Sequence, residues 1–406
     1  MTRSLAEAVL SDHCGSRCLP GDHVSADVDL VYITDASASS VLDQLERIAC
    51  GDRDLVARPE RVVLVIDHYV PAPTASAARI HQRMRAFARR TGCLLVDEGE
   101  GVCHQVLGEM GLIKPGGLVV GADSHTVTYG ARGALATGVG STDAAVAMAS
   151  GRLWFQVPES VRLNLAGPLS PGTTGRDVAL HLNGLMGNSG AAYQCVELCT
   201  ADSCLTDDDL AAIANTSVEW GAKAAIVREK AQDILPSNPC YAREWWVDLS
   251  EVEPTVALPH SPHRVVPVEE AGNVEIDLCF VGTCAGGTLS DIRQAASVLR
   301  GSKVHQGTRL LVTPSSRRIY LQAVREGLIE ILVSSGAVVL PPCCGPCCGA
   351  VNGIPGDAQS VMSSANRNFR GRMGNARADV FLASSLAVAA AAVAGKITDP
   401  REVMLS

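Results

Sequence analysis

Short apolar runs that stop abruptly in polar or glycine-rich turns set the strongest limit on how this chain folds. "VVLVI" (62–66) runs into Asp67-His68, "GLVVGA" (117–122) into Asp123-Ser124-His125, and "LCFVG" (278–282) into Thr283-Cys284. "LLVTP" (310–314) precedes Ser315-Ser316, "AVVLPP" (337–342) precedes four clustered cysteines, and "VFLAS" (380–384) precedes Ser385. Runs this short and this apolar read as strands buried on both faces of a parallel sheet. Helix signals lie between them. Ser290 is placed to cap a helix running to Arg300, and Ser385 to cap an alanine-rich helix ending near Gly395. Thr206 and Asp209 stand in capping-box spacing. The alternation is that of α/β layers. Open α/β sheets bind ligands outside the carboxyl ends of their strands, so the polar residues after these runs are expected to converge on one cleft.

The chain has 406 residues, 47% of them hydrophobic, enough for about two to four domains. The proline-rich segment 251–272 reads as a linker, and a weaker break falls at 166–177. The expected division is 1–165, 166–270 and 271–406. A formal charge of −9 supplies no basic field, so no nucleic-acid partner is expected. "MTRSLAEAVL" lacks the apolar core of a signal peptide, and "LAVAAAAVAG" is too short to cross a bilayer. The expectation is a cytoplasmic protein with no membrane partner.

Fifteen cysteines in such a chain argue against a disulfide framework. Cys50, Cys93 and Cys240 read as small buried hydrophobes. His13, Cys14, Cys18 and His23 fit no standard metal spacing and read as ordinary loop. "CCGPCC" is different. Cys344 and Cys347 have the CxxC spacing that lets two thiolates reach one metal centre, with Cys343 and Cys348 as packing neighbours. No second CxxC completes a zinc set. Cys284, in the turn "VGTCAGG", is a plausible third thiolate. Three thiolates on a [4Fe-4S] cube leave one iron open to act as a Lewis acid. The alternative is that these cysteines bind no metal and are simply buried.

Several longer motifs then carry a resemblance. "VIDHYVPAPTASAA", "DEGEGVCHQVL", "GLIKPGGLVVGADSHTVTYGARGALATGVGSTD", "GTCAGGTLSDIR", "CGPCCG", "SANRNFRGRMG" and "FLASSLAVAAAAVAGKITDPRE" follow one another as in the aconitase superfamily. The chain resembles most its branch of short, two-subunit 3-isopropylmalate dehydratase large subunits. The resemblance implies α/β three-layer domains around a central cleft, and a [4Fe-4S] cluster on Cys284, Cys344 and Cys347. It implies an Asp67–His68 pair that helps a substrate hydroxyl leave as water, a second pair from His104 and Asp123, and Ser124 and His125 beside them. Asn215 and Glu219 match an i, i+4 helical pair, and Asn366, Arg367 and Arg372 match groups that hold substrate carboxylate. A small swivelling-domain subunit is implied as the partner that completes the site, with a malate-type hydroxy diacid as substrate.

The chemistry calls for the same residue types. Hydroxide leaves badly, so dehydration needs a Lewis acid and a proton donor, and carboxylates need bidentate arginine clamps. No residue stands out as the base for the carbon-bound proton. The chain also departs from the family. Cys284-Ala285-Gly286-Gly287-Thr288 stands where Cys-Thr-Asn-Gly-Arg is usual. Thr34-Asp35-Ala36 stands where His-Asp-Gly is usual, which puts a substrate or iron-water contact in doubt. Cys343 and Cys348 replace residues that are usually not thiols. These changes favour a specialised relative acting on another alkylmalate-type acid. A non-catalytic metal-binding homologue is the further alternative.

Overall fold

The computed structural model describes residues 3–48, 55–232 and 239–404. Cys50 lies outside them. Residues 3–48 and 55–157 form a five-stranded sheet ordered β4-β3-β2-β5-β6, every pair parallel. Its strands are β2 (Leu30–Thr34), β3 (Val62–Val65), β4 (Leu94–Val96), β5 (Leu118–Gly121) and β6 (Leu135–Gly138). A flanking antiparallel ribbon joins β1 (His23–Asp27) to β7 (Arg152–Gln156). Every residue of β2, β3 and β5 is buried, the signature of a strand covered on both faces.

A second parallel sheet, ordered β10-β9-β8-β11, comprises β8 (Ser160–Ala166), β9 (Cys195–Cys199), β10 (Ala224–Val227) and β11 (Arg243–Asp248). The third, ordered β13-β12-β18-β17-β14-β15-β16, is parallel except at its β13-β12-β18 edge. It holds β12 (Thr255–Ala257), β13 (Val265–Pro267), β14 (Leu278–Val281), β15 (Arg309–Val312), β16 (Val338–Val339), β17 (Ser360–Ser363) and β18 (Asp379–Leu382).

At four points the structure differs from the local expectations. Strand β8 opens the second sheet at Ser160, ahead of the boundary expected at 166. Segment 251–272 is not a bare linker, because β12 and β13 pair there and extend the third sheet. Its prolines fall at a sheet edge, where a missing N–H costs little. Helix Leu289–Leu299 is capped by Thr288 with Asp291, not by Ser290, and helix Ser385–Ala394 by Ser384, not Ser385. In each case the hydroxyl one or two residues earlier reaches the free amides of the first turn. The Thr206–Asp209 capping box forms as read.

The strand order places the polar turns. In the first sheet β2 lies between β3 and β5, so Asp35, Asp67 and Asp123, each just past a strand end, are neighbours. In the third sheet β14 lies between β17 and β15, which brings the Cys284 turn beside the 364–367 turn. The two edges meet through backbone hydrogen bonds from Cys344 N to Asp67 O (2.9 Å) and from Val102 N to Ser315 O (2.8 Å). The 3-10 segment Ser124–Arg132 also packs on β10 so closely that a side chain at Gly130 would overlap the Ala225 carbonyl. No helix among the described residues is long and apolar enough to cross a membrane.

Candidate active site

Asp35 organises the turn after β3. Fully buried, it accepts hydrogen bonds from the amides of His68 and Tyr69 (2.9 Å each), and from His81 Nε2 (3.1 Å). Burial opposes its charge, yet His68 and His81 hold its carboxyl well below the usual carboxylate range. Within Thr34-Asp35-Ala36, Asp35 is thus the acceptor that shapes the turn carrying His68.

His68 follows from this frame. Its Nδ1 lies 2.7 Å from Asp67 Oδ1 and 3.6 Å from Asp35 Oδ1. The other Asp67 oxygen accepts from Cys103 N at 2.8 Å. Burial disfavours the imidazolium, but Asp67 and then Asp35 outweigh it, and the His68 pKa stands well above its ordinary value. His68 is therefore biased toward its protonated form, with Nε2 3.8 Å from the Asp123 carboxylate.

Asp123 is the hub of the second pair. It accepts from His125 N (2.8 Å), and its carboxylate lies 3.2 Å from His104 Nε2 and 3.8 Å from His68 Nε2. Burial works against its charge, but His104, His125 and His68 hold it well below the usual range. His125 differs: burial lowers its pKa, Arg367 adds to this, and nearby Glu219 only partly offsets it. Within one cluster His68 is thus biased toward its protonated form and His125 toward its neutral form.

The sulfur donors lie across the seam. Thr283, before Cys284, adopts φ 71°, a left-handed conformation a β-branched residue rarely takes, at a cost of roughly 1–3 kcal/mol. Cys284 Sγ receives Asn215 Nδ2 at 3.2 Å and Asn366 Nδ2 at 3.3 Å. Burial, with the charge of Cys347, pushes its thiol up to about 11. Cys347 is held well below the ordinary thiol range, chiefly because the Cys344 thiol donates to it; Arg372, with Nη2 at 3.6 Å, adds to this. Cys343 packs in the core of the first sheet, as a packing neighbour should. Cys348 does not: its sulfur meets that of Cys344 and feels His68, which brings it to about 7 against its burial.

The remaining predicted residues surround these groups. Helix Asp207–Thr216 ends before Glu219, which sits in the following 3-10 turn Ser217–Trp220, so Asn215 and Glu219 do not share one α-helical face. Glu219 instead pairs with Arg367 Nε (2.5 Å) and lies 3.5 Å from His125 Nε2. Arg367 also reaches Ser124 Oγ at 3.1 Å. Arg372 stacks over Phe369 at 5.7 Å. His104 Nδ1, Asn215 Oδ1, Asn366 Oδ1 and Arg372 Nε are buried without hydrogen-bond partners, so polar capacity is left over around the sulfurs. A cavity of about 270 Å³ bordered by His104, Thr128 and Cys284 opens beside them. The stretch read as ordinary loop is partly regular: His13 and Cys14 end helix Leu5–Cys14 and His23 opens β1, while His13 bonds Val9 O and Asp29, and Cys14 and Cys18 bond Ser11.

The donor set fits an iron–sulfur group better than one ion. Among the described residues, Cys284, Cys344 and Cys347 are not among the sets close enough to share a single ion, although Cys284 and Cys347 interact electrostatically. Soft thiols spaced wider than one ion needs, on strained and glycine-rich turns, suit a multi-iron cluster. The carboxylates of the two sets that could reach one ion, Cys103–His104–Asp123 and Asp35–Asp67–His68, already accept backbone amides and imidazoles.

Similarity to known proteins agrees with this geometry. A family model described as the aconitase family (aconitate hydratase) matches residues 7–235 and 228–395. The chain is 40% identical over 418 residues to the 3-isopropylmalate dehydratase large subunit 1 of Methanopyrus kandleri, covering 99% of each chain. It is 41% identical over 415 residues to the homoaconitase large subunit of Thermus thermophilus, covering 99% of this chain and 98% of that one. The holo-form crystal structure of aconitase X from Thermococcus kodakaraensis shares the fold, with a TM-score of 0.54 at 13% identity over 89% of this chain and 87% of that one. The chain belongs to the aconitase family of hydro-lyases.

Proposed function

We propose that this chain is the large subunit of a [4Fe-4S] hydro-lyase that removes water from, and returns it to, a malate-type 2-hydroxy diacid in the cytoplasm. Family membership implies an iron–sulfur cluster, and relatives named large subunits imply a small partner subunit. A reducing compartment suits the fourteen free cysteines among the described residues. Bound by Cys284, Cys344 and Cys347, the cluster would supply a Lewis acid for the substrate hydroxyl. His68, kept protonated by Asp67 and Asp35, is the acid that makes the departing hydroxyl water. His104 and Asp123 orient one another across the same pocket, and Asp123 keeps His68 Nε2 facing it. Arg372 and Arg367 would take the carboxylates, Arg367 by exchanging its bond to Glu219 for one to substrate. Ser124, His125, Asn215 and Asn366 line the same ground, and the small subunit would supply the remaining groups.

The His68 imidazolium gripped by two buried carboxylates carries this reading. The test is turnover by the anaerobically loaded chain co-expressed with a small subunit, on 2-isopropylmalate, homocitrate and smaller alkylmalates. His68→Asn should lower kcat by about 10²–10⁴-fold. Absence of hydration or dehydration on every diacid would sink the reading.

A second observation favours a specialised substrate. Gly286, where the family carries asparagine, has no room for a side chain, because the Ser364 hydroxyl fills that space and bonds Gly282 N at 3.0 Å. Thr288, where the family carries arginine, caps a helix. The polar groups expected in this turn are replaced by backbone support. A clear preference for 2-isopropylmalate would remove this second reading while leaving the first.

A further inference from the structure

Behind Cys284 the chain buries an arginine without a carboxylate partner. Arg176, in the first turn of helix Gly175–Met186, is 3% exposed. Its Nη1 donates to Thr216 Oγ1 at 3.0 Å and its Nη2 to the Ala365 carbonyl at 2.6 Å, while Nε has no partner. The carboxylates around it are engaged elsewhere: Asp177 with Thr174 and Thr255 N, Asp291 with Thr288 and Ser385, Glu219 with Arg367. Burial lowers the Arg176 pKa, and among the groups that oppose this Cys284 comes first. Asp177, Asp291 and Glu219 favour its charge only from a distance, so a buried guanidinium without a contacting carboxylate is best balanced by further negative charge on the Cys284 side.

The anchors of Arg176 say where that charge belongs. Thr216 follows Asn215, and Ala365 precedes Asn366; these are the two residues whose amides donate to Cys284 Sγ. The guanidinium therefore ties together, from behind, both arms that hold this sulfur.

We propose that Arg176 is a positioning residue and buried counter-charge for an iron–sulfur cluster at Cys284, holding Asn215 and Asn366 on the sulfur and balancing the negative charge that cluster and thiolates bring. This rests on the cluster reading above. The test compares Arg176→Met and Arg176→Lys in the full chain, cluster-loaded and cluster-free. Reduction adds negative charge, so loss of a nearby cation should make it harder. In the loaded chain R176M should shift the cluster midpoint potential to more negative values and release iron to a chelator about tenfold faster, while R176K stays near wild type. In the cluster-free chain, where the charge is uncompensated, R176M should melt no lower than wild type. An unchanged potential in R176M would overturn the proposal. So would a cluster-free R176M that melts well below wild type or fails to fold, since that is the behaviour of a plain structural pin. Failure of the underlying cluster reading shows itself separately, as wild-type chain that takes up no iron.

Discussion

Asp35→Asn tests the frame around His68 most directly. The substitution keeps the shape and removes the charge. One carboxylate oxygen serves the amides of His68 and Asp67 (2.9 and 3.4 Å); the other serves Tyr69 N and His81 Nε2 (2.9 and 3.1 Å). Whichever oxygen becomes an NH2, it confronts two donors. Losing two hydrogen bonds to a charged acceptor, at about 1.5–3 kcal/mol each, should cost roughly 3–6 kcal/mol, less whatever relaxation recovers. The cluster-free chain would report this as a lower urea midpoint. Asp35 also helps raise the His68 pKa, so the charged His68 contributes stability that is complete below about pH 6.5 and lost as pH rises through its folded value. Asp35→Asn brings that folded value down. The alkaline limb of kcat/KM in the loaded enzyme should therefore move to lower pH, because the proton donor empties sooner. A variant within about 0.5 kcal/mol of wild type, with an unmoved alkaline limb, would refute the reasoning.

Other substitutions probe separate parts of the site. Replacing Cys284, Cys344 or Cys347 by alanine should reduce iron and sulfide per chain to near background after anaerobic reconstitution. Cys343→Ala and Cys348→Ala should leave both near wild type, and loss of iron in Cys348→Ala would require a different ligand set. Gly286→Ala should destabilise the chain by about 1–3 kcal/mol through overlap with Ser364, and Ser364→Gly should recover much of that in a double-mutant cycle on thermal melting. Burial raises Asp177 to about 6, so the fold favours its protonated form. Its contribution to stability should fall by roughly 2–3 kcal/mol as pH rises from about 4 to about 6. Asp177→Asn should flatten that part of the pH–stability curve, and an unchanged slope would contradict the assignment.

How much of this could be read from sequence depended on whether a signal was local. Asp67, Asp123 and Cys284 were legible because each follows an apolar run, and parallel strands deliver such residues to one edge. Asp35 obeys the same rule, since it follows "LVYIT" (30–34), and it is the one residue of Thr34-Asp35-Ala36 that matches the family's usual His-Asp-Gly. The Asp35 carboxylate itself remained. Segment 251–272 lacked periodicity because an edge hairpin with prolines needs little. The engagement of Arg367 by Glu219 depends on how distant turns are brought together, and the local contact of Cys348 with Cys344 on the 3-10 turn Gly345–Cys348; residue spacing alone encodes neither. Arg176 had no sequence signal beyond an ordinary helix start; only its burial and lack of a carboxylate single it out.

The hydrogen bond from the Cys344 amide to the Asp67 carbonyl has a consequence for biosynthesis. Translation makes Asp67 and His68 early and the paired cysteines near the end. A growing chain halted before Cys344 would carry Asp67 and His68 but only Cys284 of the three sulfurs proposed to hold the cluster. On the proposed ligand set, a product cut short before Cys344 would lack two of the three sulfurs, so cluster loading would have to wait until nearly the whole chain has been made.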